Sequence, residues 1–439
     1  MMNKVIASLK THAELVIANT VALFLAASSW NYYDVRYFLE WYSHFVSGRI
    51  LNIYGSSIYD KIAYPPLPIL LFVFTHHVAV TLSSNIEIIR LIDKIPLIIS
   101  FNLIYFILRR EYGRRAGVLW LANATGYIIL IGYQFDLIAS LFLLLGFIQL
   151  VRNKFEKACI YLTLAVLVKQ ILAPFLLLPF IVRLKSKRYD EMVRLALNVA
   201  VVGSIFVLPF LVVDPYSFIG KVLFFHASRY PQELSLFAIP LYVTWYNVNV
   251  LPSWLTWIWI LPFTIYTGLA IFYFAKEREY GEEVFLKYFI YLLTGLLVFN
   301  KIGGFNYFTW LAPFIIIFIS RRSTDPGMRV FQTLFISIPL IVHFIYNTST
   351  LFAAAVASDE VFIVEDLNWV SAEEIILRSS GSSSLIYSLV QACRANPLLS
   401  ILFSMMNRSK PVSQIFFTLI YNAYLTYVWI KVKKLSRSV

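Results

Sequence analysis

Apolar residues come along this chain in blocks of roughly 15–22, each closed by a short polar or basic cluster, and that length crosses a hydrocarbon core of about 30 Å. Blocks at 12–30, 93–108, 116–133, 137–151, 192–213, 284–299, 307–320, 328–346 and 414–431 read as helices, and so does "SWLTWIWILPFTIYTGLAIFYF". The stretch "ACIYLTLAVLVKQILAPFLLLPFIVRLKSKR" lies between two basic clusters, so it has to leave and return, with its break at "VKQILAP". The pattern predicts an all-α polytopic membrane protein with about 11–13 transmembrane helices. No parallel or inverted repeat of the kind common in secondary transporters is visible.

Basic clusters orient the helices, because Lys and Arg concentrate in inner loops. With Lys4 and Lys10 inside, "LRREYGRR", "RNKFEK", "RLKSKR", "AKERE", "RRSTDPGMR" and "KVKK" all fall on the same side. That solution lets 93–108 cross and keeps 64–82 on the outer side, as an interfacial or re-entrant piece entered through "YPPLP". The rival, in which 64–82 spans, has length enough. The organisation expected is a transmembrane catalytic module over 1–320, with a first outer loop at about 31–92. C-terminal helices continue over 321–439, with an outer segment at about 347–412. That segment, with "VEDLNWVSAEE" and "RSSGSSS", reads as a small helical or loop-rich piece and not as a catalytic domain. Lys4 and Lys10 before "LVIANTVALFLAASSW" also have the form of a signal peptide, although an uncleaved first helix is expected.

Composition narrows the class. Of 439 residues 59% are hydrophobic and 14% charged, more apolar surface than a soluble core of this size hides. The net charge of +13 sits in clusters between apolar runs, with no basic stripe interleaved with stacking aromatics, so a nucleic-acid partner is not expected. Two cysteines, Cys159 and Cys393, make neither a disulfide framework nor metal-ligand spacing.

Charge signs alone gather the unusual polar residues on the outer face: Asp34, Arg36, Glu40, Lys61, Tyr64, Gln134, Asp136, Lys169, Gln170, His226, Arg229, Gln232, Glu233, Asn300, Lys301 and Asn306. Ionisable groups near membrane depth are costly and usually face a cavity. One or two acids among several cations suit a substrate with an anionic head and a lipid tail. Any one of these residues also reads as a headgroup anchor, and Tyr32, Tyr33, Tyr37, Trp41 and Tyr42 read as aromatic belt.

The order of motifs resembles the GT-C superfamily of integral-membrane glycosyltransferases, and within it the dolichyl- or polyprenyl-phosphate-mannose-dependent mannosyltransferases of the GPI mannosyltransferase I type. "NYYDVRYFLEWYSHFVSG" looks like the family's first outer loop, and "SSIYDKIAYPPLPILLF" like the segment that closes it. "GYQFDLIASLFLLLGFIQL" is similar to the second outer motif, and "LAVLVKQILAPFLLLPFIV" to an interrupted helix with its Lys. "LFFHASRYPQELSLFAIPLY" and "LLVFNKIGGFNYFTWLAPF" resemble the later blocks.

The resemblance implies a GT-C fold with interfacial helices in a catalytic first outer loop. It implies inverting transfer of a hexose, mannose ahead of glucose, from a polyprenyl-phosphate donor to an acceptor hydroxyl on the extracytoplasmic or lumenal face. Asp34 takes the role of catalytic base, and Arg36, Tyr64, Gln134, Asp136, Lys169, His226, Arg229, Lys301 and Asn306 are candidate substrate-binding residues. The GPI enzyme has Asp-x-Asp where this chain has Asp34-Val35-Arg36, and one carboxylate makes a poor divalent site, so no metal and no cofactor is expected. A divalent cation stays the alternative. Expected partners are the lipid-phosphate sugar donor, a lipid-linked or protein-linked glycan acceptor, membrane lipids and a small accessory membrane subunit. The compartment is the plasma membrane of a prokaryote or the endoplasmic reticulum of a eukaryote. Two readings of other classes remain open: a lipid-linked-sugar flippase without transfer chemistry, and a scaffold that has lost activity.

Overall fold

The computed structural model describes residues 13–56, 64–225, 229–322, 327–342, 347–363, 368–381 and 384–435. Lys4, Lys10, Lys61 and His226 lie outside the described residues. The helices that frame the bundle include α1 (Ala13–Ser28), α2 (Tyr32–Val46), α3 (Pro66–Leu82), α4 (Ile86–Asp93), α5 (Ile95–Tyr112), α6 (Arg114–Leu121), α7 (Ala124–Gly132) and α8 (Asp136–Val151). They continue with α9 (Phe155–Val168), α10 (Tyr189–Val213), α11 (Ile260–Lys276), α12 (Glu282–Phe299), α13 (Phe308–Arg321) and α14 (Lys410–Leu435). Two parallel residue pairs, β1 (Gln232–Glu233) with β2 (Ile302–Gly303), and a hairpin, β3 (Glu360–Ile363) with β4 (Asn368–Ser371), are the sheet among the described residues. The fold is all-α and polytopic.

Helix α13 is buried continuously from Phe308 to Ile319, and α8 nearly so, and a helix apolar all round belongs in the centre of a bundle. Phe147, Phe289 and Phe314 lock α8, α12 and α13 together, with ring centres 5.0–5.4 Å apart. By contrast, only 6% of the apolar stretch of α10 is buried, leaving Val193, Leu197, Val201, Ile205 and Leu208 exposed along its length. So extended an apolar face needs a lipid surround.

Among the described residues three helices, Tyr189–Val213, Ser253–Lys276 and Lys410–Lys434, are single candidates for crossing. Four more candidates are pairs bent by more than 40° at a short break. Pro66–Leu82, Asp136–Val151, Phe305–Arg321 and Gly327–Val342 are shorter apolar helices. The structure corrects the sequence reading at one of the bends. The block at 116–133 is not one helix, because Asn123 stops α6 and caps α7, accepting from the Thr125 amide at 3.0 Å, and the axis turns by 46°. The first apolar block and the aromatic run after it form another bent pair, turning 72° between α1 and α2.

The bundle is chemically polarised. At one end Glu14 pairs with Arg109 at 2.5 Å and with Arg114 at 3.2 Å, Arg152 with Glu111 at 2.6 Å, and Arg322 with Glu283 at 2.7 Å. These are the clusters that the charge pattern put on one side. At the opposite helix ends lie Asp34, Asp136, Lys169 and Lys301.

Candidate functional site

At that opposite end a cavity of about 580 Å³ opens between helix ends. Its polar floor includes Asn31, Asp34, Arg36, Tyr64, Gln134, Lys169, Arg229, Glu233, Lys301 and Asn306. Asp136 and the described candidates come together here, although Asp136 stands behind the lining.

Asp34 owes its position to local helix chemistry. The Asn31 side chain caps α2, accepting from the Tyr33 amide at 3.2 Å, which puts Asp34 in the first turn, where the dipole favours a carboxylate. Its Oδ2 accepts from the Asn31 side-chain amide at 2.5 Å and from the Gln134 side-chain amide. Gln134 in turn accepts from the Tyr64 hydroxyl at 3.3 Å. Burial, with Asp34 and Asp136 nearby, holds the Tyr64 hydroxyl well above the ordinary tyrosine range, so Tyr64 stays a donor. Beneath this triad Phe38, Trp41, Phe72, Tyr133 and Phe135 pack ring on ring, with Phe38–Trp41 centres 4.4 Å apart. Such pairs contribute about 0.5–1.5 kcal/mol each beyond burial, which makes a stiff base for the acid.

Asp136 is the first residue of α8 and fully buried. Its Oδ2 accepts from the Asn306 side-chain amide at 2.6 Å and lies 3.7 Å from the Lys169 ammonium. Lys169 stands where α9 stops, in extended backbone, before a 3₁₀ stretch over Gln170–Leu176. The expected break in that apolar run is therefore present. The ammonium lies over two tyrosine faces, 4.8 Å from the ring centre of Tyr64 and 5.4 Å from that of Tyr307.

Arg36 is sandwiched, its guanidinium 4.7 Å from the ring centres of both Tyr33 and Tyr37, and it donates to the Tyr37 hydroxyl at 2.8 Å. Lys301, also in the lining, is engaged by the main chain. Its ammonium donates to the carbonyls of Arg229, at 2.6 Å, and Thr256, at 3.0 Å, so it braces the segment that carries Arg229. Burial, reinforced by the Arg229 charge, pulls its pKa down to about 7. The same two segments meet as β1 and β2, and the contact is tight. A Cβ on Gly303 would stand 2.1 Å from the Ser235 nitrogen and 2.3 Å from the Leu234 carbonyl carbon.

Sequence reading missed one wall. Leu351, Val361, Phe362, Ile363, Ile375 and Lys410, all from beyond residue 350, also line the cavity. Phe362 is held there by Tyr246 and Trp369, with ring centres 5.7 and 5.3 Å away. The fragment "VFI…NWVS" carried no turn signal strong enough to announce a hairpin. Asn31 was also missed, though an Asn directly before a helical run is a recognisable cap. Among the described residues no group of three or more His, Cys, Asp or Glu could hold a metal ion.

No protein-family model matches the sequence, and no curated protein matches it. Among solved structures, the chain is similar to ArnT from Cupriavidus metallidurans bound to undecaprenyl phosphate, at 14% identity and a TM-score of 0.46, over 95% of this chain and 75% of that one. It is also similar to the same protein in the apo state, at 13% identity and a TM-score of 0.44, over 97% and 76% of the two chains.

Proposed function

We propose that this chain is an integral-membrane glycosyltransferase of GT-C type that moves a hexose, mannose ahead of glucose, from a polyprenyl-phosphate carrier to an acceptor hydroxyl. The observation that carries the reading is one carboxylate, Asp34, held by two side-chain amides at the floor of a cavity whose other side chains include Lys169, Arg36 and Arg229.

Asp34 removes the proton from the acceptor hydroxyl as that oxygen attacks the anomeric carbon. The carrier phosphate leaves from the opposite face with the bonding electron pair, and the anomeric centre inverts. General-base help of this kind is worth about 10²–10⁴ in rate. The leaving phosphate needs charge stabilisation and no proton, which Lys169 and Arg229 supply in a water-poor cleft. Asp136 fixes Lys169 and Asn306 and leaves Asn306 to meet a sugar hydroxyl. The chemistry runs without a bound metal, since Arg36 stands two residues after the acid and a cation there repels a divalent ion.

The catalytic module is residues 1–320, with the segment over 347–412 as its outer cover. The site faces the extracytoplasmic or lumenal side, and the acceptor is a lipid-linked or protein-linked glycan. Purified wild type and Asp34→Asn in nanodiscs, given short-chain polyprenyl-phosphate mannose and glucose with a lipid extract of the host, test this by mass spectrometry of transferred sugar. Transfer by wild type and none by the variant at equal thermal stability supports the reading. Tight donor binding by both proteins without turnover overturns it in favour of a carrier that flips lipid-linked sugars.

A further inference from the structure

Away from the cavity the chain buries a second polar cluster, His76, Arg90, Asp93 and Lys94, each less than a tenth exposed. None of these four lines the cavity, and the proposed chemistry uses none of them. Two cations buried near helix ends are costly unless their donors are taken up, so the destination of each N–H is informative.

Lys94 donates to the carbonyl of Ala26 at 2.9 Å, to that of Ser29, and to that of Ile131 at 3.2 Å. Arg90 donates to the carbonyl of Ser28 at 3.1 Å, and its guanidinium lies 4.9 Å from the ring centre of Trp30. The carbonyls of Ala26, Ser28 and Ser29 are those that lose their intrahelical partners where α1 stops, and that of Ile131 belongs to the end of α7. A cation is the favoured cap at such an end. Here one ammonium caps two helices at once. The two ends also touch directly, the Asn31 amide donating to the carbonyl of Gly132 at 3.1 Å.

Each of these helix ends leads into a piece of the cavity floor: Asn31 and Asp34 after α1, Gln134 after α7. The route to Gln134 passes through Tyr133, a left-handed residue at φ 61, a conformation that costs a non-glycine residue about 1–3 kcal/mol. Its hydroxyl donates to the carbonyl of Asp93 at 2.9 Å, and the Asp93 carboxylate lies 2.9 Å from Nδ1 of His76. The buried cluster thus holds both approaches to the Asp34–Gln134 contact.

We propose that Lys94, seconded by Arg90, is a positioning residue, a clamp that sets the spacing of the two chain breaks carrying Asp34 and Gln134. Its kinetic consequence rests on the transferase reading; its structural consequence does not.

Hydrogen exchange followed by mass spectrometry tests the structural half on wild type, Lys94→Met and Lys94→Arg in nanodiscs. In Lys94→Met, peptides covering 30–34 and 132–135 are expected to exchange at least tenfold faster together, and Lys94→Arg to restore most of the protection. Acceleration at one break alone, or at neither, overturns the clamp. With the sugar-transfer assay, Lys94→Met is expected to lower kcat 10–100-fold while KM for the donor moves less than about threefold. Combining it with Gln134→Leu adds nothing beyond the larger single loss, because both act through the placement of Asp34. Losses that multiply, or a KM change with kcat intact, overturn the clamp. Should Lys94→Met fail to fold, Lys94→Gln, which donates to two carbonyls instead of three, is read by the same criteria. If wild type moves no sugar from any donor, the transferase reading fails and the exchange data still decide the clamp.

Discussion

Asp34 and Asp136 are two acids one break apart from the same bundle end, and the structure treats them in opposite ways. Asp34 is half-buried, lines the cavity, and accepts from the neutral amides of Asn31 and Gln134. Asp136 is fully buried behind the lining, and Lys169 and Asn306 stand between it and the open space. A carboxylate that faces the open cavity, in reach of a ligand, can take a proton from it. One locked against a cation, out of reach, can only aim its partners. Position in the sequence does not separate the two, since each comes after an apolar run and stands in the first turn of a helix. Their neighbours do.

The largest test of that division is Asp34→Asn, which keeps shape and loses basicity. Turnover is expected to fall by about 10²–10⁴ with donor binding and thermal midpoint unchanged, read by transfer rate and by scanning fluorimetry. A loss below tenfold would end the distinction between the two acids. Asp136→Asn comes next. It removes the counter-charge of Lys169, which is itself only partly buried, so a lowered thermal midpoint is expected, together with a KM for the donor raised about tenfold. Unchanged KM would mean that Lys169 is not a donor contact.

Phe362→Ala probes the apolar part of the cavity lining. Acceptor KM is expected to rise about three- to tenfold with donor KM unaltered, in steady-state kinetics with each substrate varied in turn. The smallest effect is a slope. Burial favours neutral Lys301, so between pH 7 and the ordinary lysine range the unfolded chain holds a proton that the folded one lacks, and stability rises with pH across that window. Lys301→Met is expected to flatten that rise, measured as thermal midpoint from pH 7 to pH 9 relative to wild type. An identical slope in the variant would place the titration elsewhere.

Much of the frame was legible because one rule, apolar block length, and another, the sign of charge between blocks, act on every segment alike. The floor of the cavity was legible for the same reason. Asp34, Gln134, Lys169, Lys301 and Asn306 interrupt or end apolar runs, and a chain breaks where such residues stand. Lys94 was not, because it comes after Asp93 at an ordinary junction, and nothing in "LIDKIPL" says that its ammonium reaches carbonyls 37 to 68 positions away. Lys301 divides in the same way. Its charge was visible and the carbonyls that occupy it were not. The apolar wall from 351 to 375 escaped because packing partners far along the chain leave no local periodic signal.

Gly303 carries a consequence for how this chain would be recognised in others. Its missing side chain lets two backbones lie against each other, and no shift of a flexible group could make room for a larger residue. Cations lining a cleft can trade places, lysine for arginine or one helix end for another, and the field in the cleft survives. A point where main chain meets main chain admits no such exchange. Sequences that share this fold and little else are therefore expected to agree at Gly303 sooner than at the charged positions, so that a search anchored on the glycine would reach further than one anchored on the chemistry.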